Sequence, residues 1–233
     1  YMPRVDRQQF LRVLESVQPG LSTKELIEQS TCFVFKDGLV ITYNEEICCR
    51  GESKLGKEIL GAIRSKSVLD LLRKLPDEEI SVETVNGELR IIGKNRQCGL
   101  IWEEEVSLPV EGIEEPEKWK DLPSNFGEAM NAVRQCTGHI ESQFSLTCVH
   151  INPGWVEASD NTQLCRWTIK TGFKESVLIS HDAAKQVHLL GMQEFAETDA
   201  WIHFRNSDEL IMSCRRYLED YPDFSEIIEE SGG

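Results

Sequence analysis

The sequence of 233 residues predicts two tandem α+β domains, each with two helices packed on antiparallel sheet. Two observations carry this prediction. The first is an internal repeat. Phe10-Leu11-Arg12-Val13-Leu14 opens a helical pattern that Phe126-Gly127-Glu128-Ala129-Met130 opens again, at 126 − 10 = 116. The turn Asp37-Gly38 recurs as Pro153-Gly154, at 154 − 38 = 116. A further turn, Asn86-Gly87, is matched to Ser207-Asp208 through Glu88 and Glu209, at 209 − 88 = 121. A repeat of this length is too long for a solenoid unit and has the size of a domain. The second observation is periodicity. Each half alternates stretches of helical period with short period-two runs bounded by turn residues.

The elements follow in order. Arg7 to Val17 reads as a helix with Phe10, Leu14 and Val17 on one face and Arg7, Gln8, Arg12 and Glu15 mostly outside. Strands follow at Thr31 to Phe35, Leu39 to Tyr43 and Glu46 to Gly51. Ser65 to Leu75 is a second helix, with Leu69, Leu72 and Leu75 inward and Asp70, Arg73 and Lys74 outward. Ile80 to Val85 and Leu89 to Gly93 close the first half, with Gly99 to Glu103 as a candidate edge strand. The second half repeats the order. It has a helix at Asn125 to Cys136, strands at Leu146 to Ile151, Trp155 to Ala158 and Gln163 to Thr171, and a helix at Ser180 to Leu190. Two strands, Trp201 to Arg205 and Glu209 to Arg215, close it. Ser180 is the expected N-cap of its helix. Between the halves, Glu103 to Pro123 is dense in acids and carries Pro109, Pro116 and Pro123, which predicts an exposed extended connector. The domains are therefore placed at 1–108 and 124–233, with the connector proper at 109–123.

Composition narrows the function classes. Hydrophobic residues make up 40% of the chain, enough for a core, and no apolar run approaches a membrane span. No basic segment followed by an apolar stretch opens the chain, so no secretory leader is expected. The formal charge of −15 comes from 40 acids and 25 bases. It fits simple solubility, a segregation of bases onto one face, or an acidic mimic of nucleic acid, and charge alone does not separate them. The eight cysteines form no C-x-x-C, Cys48 and Cys49 are adjacent, and Cys32, Cys148 and Cys214 lie in apolar stretches. That pattern predicts reduced, buried thiols in the cytoplasm. The five histidines make no ligand pattern with them, so neither metal nor cofactor is expected. Asp160, Ser180 and His181 can be drawn as a triad. With no nucleophile elbow, P-loop or zinc-protease motif present, a non-enzymatic protein is predicted.

Three segments then point to a family. Ala158-Ser159-Asp160-Asn161-Thr162-Gln163-Leu164 is similar to the Ala-Thr-Asp-Gly-His-Arg-Leu segment of the bacterial DNA sliding clamps, the beta subunit of DNA polymerase III. Ser176-Val177-Leu178-Ile179-Ser180 resembles the Ser-Val-Ile-Val-Pro run that leads into that family's second helix. Arg216-Tyr217-Leu218-Glu219-Asp220-Tyr221-Pro222-Asp223-Phe224 resembles its closing segment, which ends Phe-Pro-Asp-Tyr, and is the most specific of the three. The likeness covers nearly the whole chain. Asn161-Thr162-Gln163 in place of Gly-His-Arg marks a distant member. The family has three such domains per chain and closes as a dimer. Two domains imply either a piece of such a chain or a ring of three copies.

The resemblance implies tandem DNA-clamp domains that build a ring around duplex DNA without reading its sequence, as a polymerase processivity factor. It implies DNA-facing bases at Arg7, Arg12, Lys24, Lys66, Arg73, Lys74, Arg134 and Lys185. It implies a pocket for short peptide motifs of the DNA polymerase and clamp loader at Leu146, Ser159, Leu164, Pro222 and Ile227. The location it implies is cytoplasmic, at the nucleoid or in the cytoplasm of a virus's host. The alternative on the same fold is an acidic interaction protein or inhibitor that does not encircle DNA. It is distinguished by whether the helix bases share a concave face.

Overall fold

A computed structural model describes residues 2–231. In order, the first half forms β1 (Arg4–Asp6), α1 (Arg7–Ser16), β2 (Cys32–Lys36), β3 (Leu39–Tyr43), β4 (Ile47–Glu52), β5 (Gly61–Arg64), α2 (Ser65–Lys74), β6 (Glu79–Val85), β7 (Glu88–Ile92) and β8 (Gln97–Ile101). The second forms β9 (Lys120–Asp121), α3 (Phe126–Val133), β10 (Cys148–Asn152), β11 (Trp155–Ser159), β12 (Leu164–Thr168), β13 (Val177–Ser180), α4 (His181–Leu189), β14 (Glu194–Glu197), β15 (Trp201–Arg205) and β16 (Ile211–Arg215). A short α5 (Ser225–Ser231) follows. The order of strands and helices is the same in both halves. So is the register: Thr42 faces Cys49 in the first and Ala158 faces Cys165 in the second, again 116 apart.

The chain packs as two units. One holds the chain through Trp119 together with Met192–Arg215, and the other holds Lys120–Gly191 with the segment from Arg216. The strands that close the second half thus belong with the first half, because β16 pairs antiparallel with β4, Met212 opposite Cys49. Within the first unit the strands run β5-β2-β3-β4-β16-β15-β14, and a separate sheet runs β1-β6-β7-β8. The second unit has the sheet β12-β11-β10-β13.

Local chemistry accounts for the elements. Asp6 caps α1 by accepting from the Gln9 N–H at 2.7 Å, and Phe10 and Leu14 are buried beneath it. Ser180 caps α4 as expected, accepting from Ala183 N–H at 3.2 Å. Asp37-Gly38 and Asn86-Gly87 both take positive φ at both residues, the geometry that lets a two-residue turn match the twist of its strands.

Three expectations are corrected. The turn Asn86-Gly87 joins β6 to β7, whereas Ser207-Asp208 joins β15 to β16, one strand later. The 121-residue equivalence therefore fails. The true counterpart of Asn86-Gly87 is the turn in which Thr198 N–H donates to Trp201 O at 3.0 Å. The candidate edge strand of the first half is present as β8, and the second half closes with three strands rather than two, its extra strand β14 being only four residues long with a glutamate at each end. The segment from Glu103 is not simply exposed. Leu108 and Ile113 are buried in a cluster with Cys32, Val34, Tyr43 and Trp201, and Val106 and Val110 pack on it. Burying each of these side chains favours docking by ~1.5–3 kcal/mol, which outweighs the tendency of its charges to leave the surface. Strands β5 and β13 and helix α5 lie outside the elements the sequence pattern predicts.

Candidate nucleic-acid interface and partner pocket

The helix bases divide by what surrounds them. In the first unit α1 and α2 pack against each other. Arg7 departs from the outward position its helical pattern predicts. It is half-buried, and its guanidinium donates to Leu72 O at 2.9 Å and Asp77 O at 2.8 Å. It thereby satisfies carbonyls at the C-terminal end of α2, where a cation is favoured by the helix dipole. Arg73 reaches across to Glu15 at 2.8 Å, and Lys66 pairs with Asp70 one turn on at 2.7 Å. Arg12, Lys24 and Lys74 are exposed, and among the described residues they form no ion pair.

In the second unit α3 packs against α4. Arg134, half-buried just past α3, donates to Asn131 Oδ1 at 3.0 Å and to His181 Nε2 at 3.2 Å. The other ring nitrogen of His181 donates to Thr137 Oγ1 at 2.7 Å, and that hydroxyl donates to Arg134 O at 2.9 Å. Burial, then the neighbouring Arg134, push the His181 pKa down, so the ring is neutral in this network. Lys185 is half-buried on α4. Ser180, His181 and Asp160 serve separate hydrogen-bond networks. Asp160 accepts from the Thr162 hydroxyl and N–H and from Gln163 N–H, and these bonds hold its pKa down to about 2.

A cavity of about 210 Å³ opens in the second unit, lined by Gly138, His139, Ile140, Gln143, Leu146 and Asp160. Of the residues expected at a peptide pocket, Leu146 lines it and is buried to 5% exposure. Ser159 is buried behind it, its hydroxyl donating to Gln163 O at 2.9 Å and accepting from Asn161 N–H at 3.2 Å. Leu164 begins β12 beside that turn. Pro222 and Ile227 are exposed on the C-terminal segment and do not line this cavity. Sequence reasoning missed Ile140, which is 62% exposed at the rim. The repeat held the signal, since 140 − 116 = 24 places Ile140 in the loop equivalent to that of Lys24. Gln143 Oε1 accepts from Asn161 Nδ2 at 2.8 Å and ties the rim loop to the β11–β12 turn. An apolar floor with a few polar groups at the rim suits the anchoring of a hydrophobic side chain.

Beside this turn a charged row crosses the sheet. Glu157, 1% exposed, accepts from His150 Nδ1 at 2.8 Å and from Arg166 Nε at 2.8 Å. Tyr221 lies against His150 with ring centroids 4.6 Å apart. Burial alone would raise the Glu157 carboxyl. The hydrogen bonds from His150 and Arg166 outweigh it and hold the group below the usual carboxylate range.

No protein-family model matches this sequence, and no curated protein does. The fold, however, is that of solved sliding clamps. A DNA polymerase III beta chain from Streptococcus pneumoniae superimposes with a TM-score of 0.83 at 17% identity, over 97% of this chain and 67% of that one. The DNA polymerase sliding clamp of Bacillus subtilis gives 0.78 at 13% identity, over 97% and 67%. The Helicobacter pylori beta clamp, solved with a DNA ligase peptide bound, gives 0.82 at 16%, over 97% and 69%.

Proposed function

We propose that this chain supplies two domains of a sliding clamp, 1–108 and 124–233 joined by 109–123, in a ring that encircles duplex DNA and tethers replication proteins. The observation that carries the reading is a matched pair of open strand edges. Inside the first unit β4 pairs with β16. Their repeat equivalents, β12 and β8, each have only one neighbour among the described residues, β11 and β7. The same seam can therefore form again between the β12 edge of one body and the β8 edge of the next. A heterologous, head-to-tail contact of this kind generates a closed ring when its rotation closes. Three copies complete six domains, as do two copies of a chain carrying a third domain.

Such a ring needs no catalytic group. Its bases meet the phosphate backbone without reading sequence. Arg12, Lys24, Lys74 and Lys185 are the best placed for that role, since they are not spent on ion pairs. The cavity at Leu146 is the candidate dock for polymerase, loader or repair peptides, in line with the peptide-bound clamp it resembles. A specific observation favours the second reading, an acidic clamp-fold interaction protein. Arg7, Arg73, Lys66 and Arg134 are held by partners of their own, and the net charge is −15. One experiment separates the two. After loading, a ring is retained on circular duplex DNA and runs off linear DNA of the same length. Equal loss from both rejects encirclement. Solution mass by light scattering then tells a trimer from smaller assemblies.

A further inference from the structure

We propose that the β12 edge of one copy of this chain takes the β8 edge of a second copy, in a single register that sets Cys165 directly opposite Cys98. This names the partner and the register of the seam proposed above and rests on that reading. The template is the seam inside the first unit, where Ile211, Met212, Ser213 and Cys214 of β16 lie opposite Arg50, Cys49, Cys48 and Ile47 of β4. Strand β12 repeats β4 at an offset of 116, since Asn44 N–H donates to Ile47 O at 3.1 Å and Asp160 N–H donates to Gln163 O at 3.3 Å. Strands β7 and β8 repeat β15 and β16 end to end, at 201 − 88 = 113 and 211 − 97 = 114. The turns between them fix both offsets. Gly93 N–H donates to Arg96 O at 3.0 Å, and Asn206 N–H donates to Leu210 O at 3.2 Å.

Transferred to the open edges, the template pairs Gln97 with Arg166, Cys98 with Cys165, Gly99 with Leu164 and Leu100 with Gln163. The bond from Arg215 N–H to Glu46 O at 2.9 Å sets the phase of the inner ladder. Hydrogen-bonded pairs recur every second residue, so Ser213 opposite Cys48 is one and Met212 opposite Cys49 is not. Cys98 and Cys165 inherit the non-hydrogen-bonded place, where Cα atoms lie about 4.5 Å apart and side chains are closest. A disulfide spans Cα separations of about 4.4–6.8 Å, so the two thiols can join there. They are two of the three partly exposed cysteines, and Cys136 is the third. No like charges face each other in this register, and Gly99 leaves room for Leu164. Nothing in β8 guards its edge. It carries no charge and no proline, and Ile101 at its end is 83% exposed. Such an edge needs a cover against indiscriminate strand pairing.

The test mixes isotopically light and heavy forms of the full chain under reducing conditions, then oxidises them with glutathione disulfide. One glutathione disulfide accepts two electrons and becomes two glutathiones, while the Cys98 and Cys165 thiols give up their protons and join through a mixed disulfide. Free thiols are blocked with N-ethylmaleimide and linkages are mapped by mass spectrometry. A Cys98–Cys165 peptide joining a light to a heavy chain is expected. It should be lost in Cys98→Ser and in Cys165→Ser and kept in Cys136→Ser. If a serine variant fails to fold, Leu100→Cys with Gln163→Cys probes the other close pair of the same register and should link in the same way. Cys98 joined to Cys98, Cys165 joined to Cys165, or linkage through Cys136 would each overturn the proposal. Light scattering on the reduced chain separates this failure from that of the ring. A chain that assembles without the Cys98–Cys165 linkage overturns the register and leaves the ring standing, whereas a monomer at every concentration overturns both. A linkage that forms while circular and linear DNA are lost equally rejects encirclement and supports the seam.

Discussion

Acidification from pH 7 to pH 4 should remove about 3 kcal/mol of stability through His203 alone. This histidine lies on β15, fully buried, next to the β4–β16 seam. Its ring is bracketed by two hydroxyls, Thr198 Oγ1 at 3.0 Å and Ser213 Oγ at 2.7 Å. Burial, and then the charge of Arg50, push its pKa from 6.5 down to about 4. The unfolded chain therefore binds a proton at a higher pH than the folded one. Stability is full above about pH 6.5 and falls as the pH drops toward 4, where the native ring finally titrates. The gap from 6.5 to about 4, at about 1.36 kcal/mol per pH unit, comes to about 3 kcal/mol. Carboxylates also titrate in this range, so the informative quantity is the difference from His203→Gln, which keeps hydrogen bonds to both hydroxyls and does not ionise. Urea unfolding of both proteins at half-unit steps from pH 7.5 to 4 gives that difference. Parallel curves for wild type and variant would refute the reasoning. Curves that converge toward pH 4 by about 3 kcal/mol support it.

Other outcomes follow from the same geometry. Glu157→Ala leaves Arg166 and His150 without their buried partner and should cost about 3–5 kcal/mol, read as a fall in Tm of roughly 2–4 °C for each kcal/mol. Because the Glu157 carboxyl is held below its ordinary 4.5, its contribution should be complete above about pH 4.5 and disappear only in stronger acid, where wild type and variant converge. Replacing Arg12 and Lys74 together by glutamate should shorten retention on circular duplex DNA. It should also lower the slope of log affinity against log salt by about 0.9 for each phosphate no longer neutralised, and an unchanged slope would remove these side chains from the interface. Ile140→Asp places a charge at the rim of the cavity on an exposed position, so folding should be unaffected while docking of a hydrophobic peptide weakens roughly tenfold in a fluorescence-polarisation titration.

The helices, most strands and the repeat were legible in the sequence because they rest on local signals. Phe10 and Leu14 recur at helical spacing, Asp37-Gly38 supplies a turn, and Ser180 caps the helix it precedes. The signal failed where an element is short or where a contact is distant in sequence. Strand β14 is four residues between glutamates, and only pairing with β15 makes it a strand. The docking of Leu108 and Ile113 could not be seen in a segment whose acids and prolines dominate its composition. The candidate site divided in the same way. Leu146, expected from the family likeness, lines the cavity, Ser159 only adjoins its Asp160, and Ile140 lies on a loop with no local pattern.

By itself, then, the sequence determined that two copies of one α+β unit follow each other and which faces of their helices are apolar, since both follow from periodicity along the chain. Only the tertiary structure decided which edges meet. It joined β16 to β4 across more than half the chain length, left β8 and β12 with one neighbour each among the described residues, and turned Arg7 inward onto the end of α2. Each of these depends on backbone hydrogen bonding or packing between residues far apart in sequence, and no local pattern encodes which distant partner a strand edge or a side chain will meet.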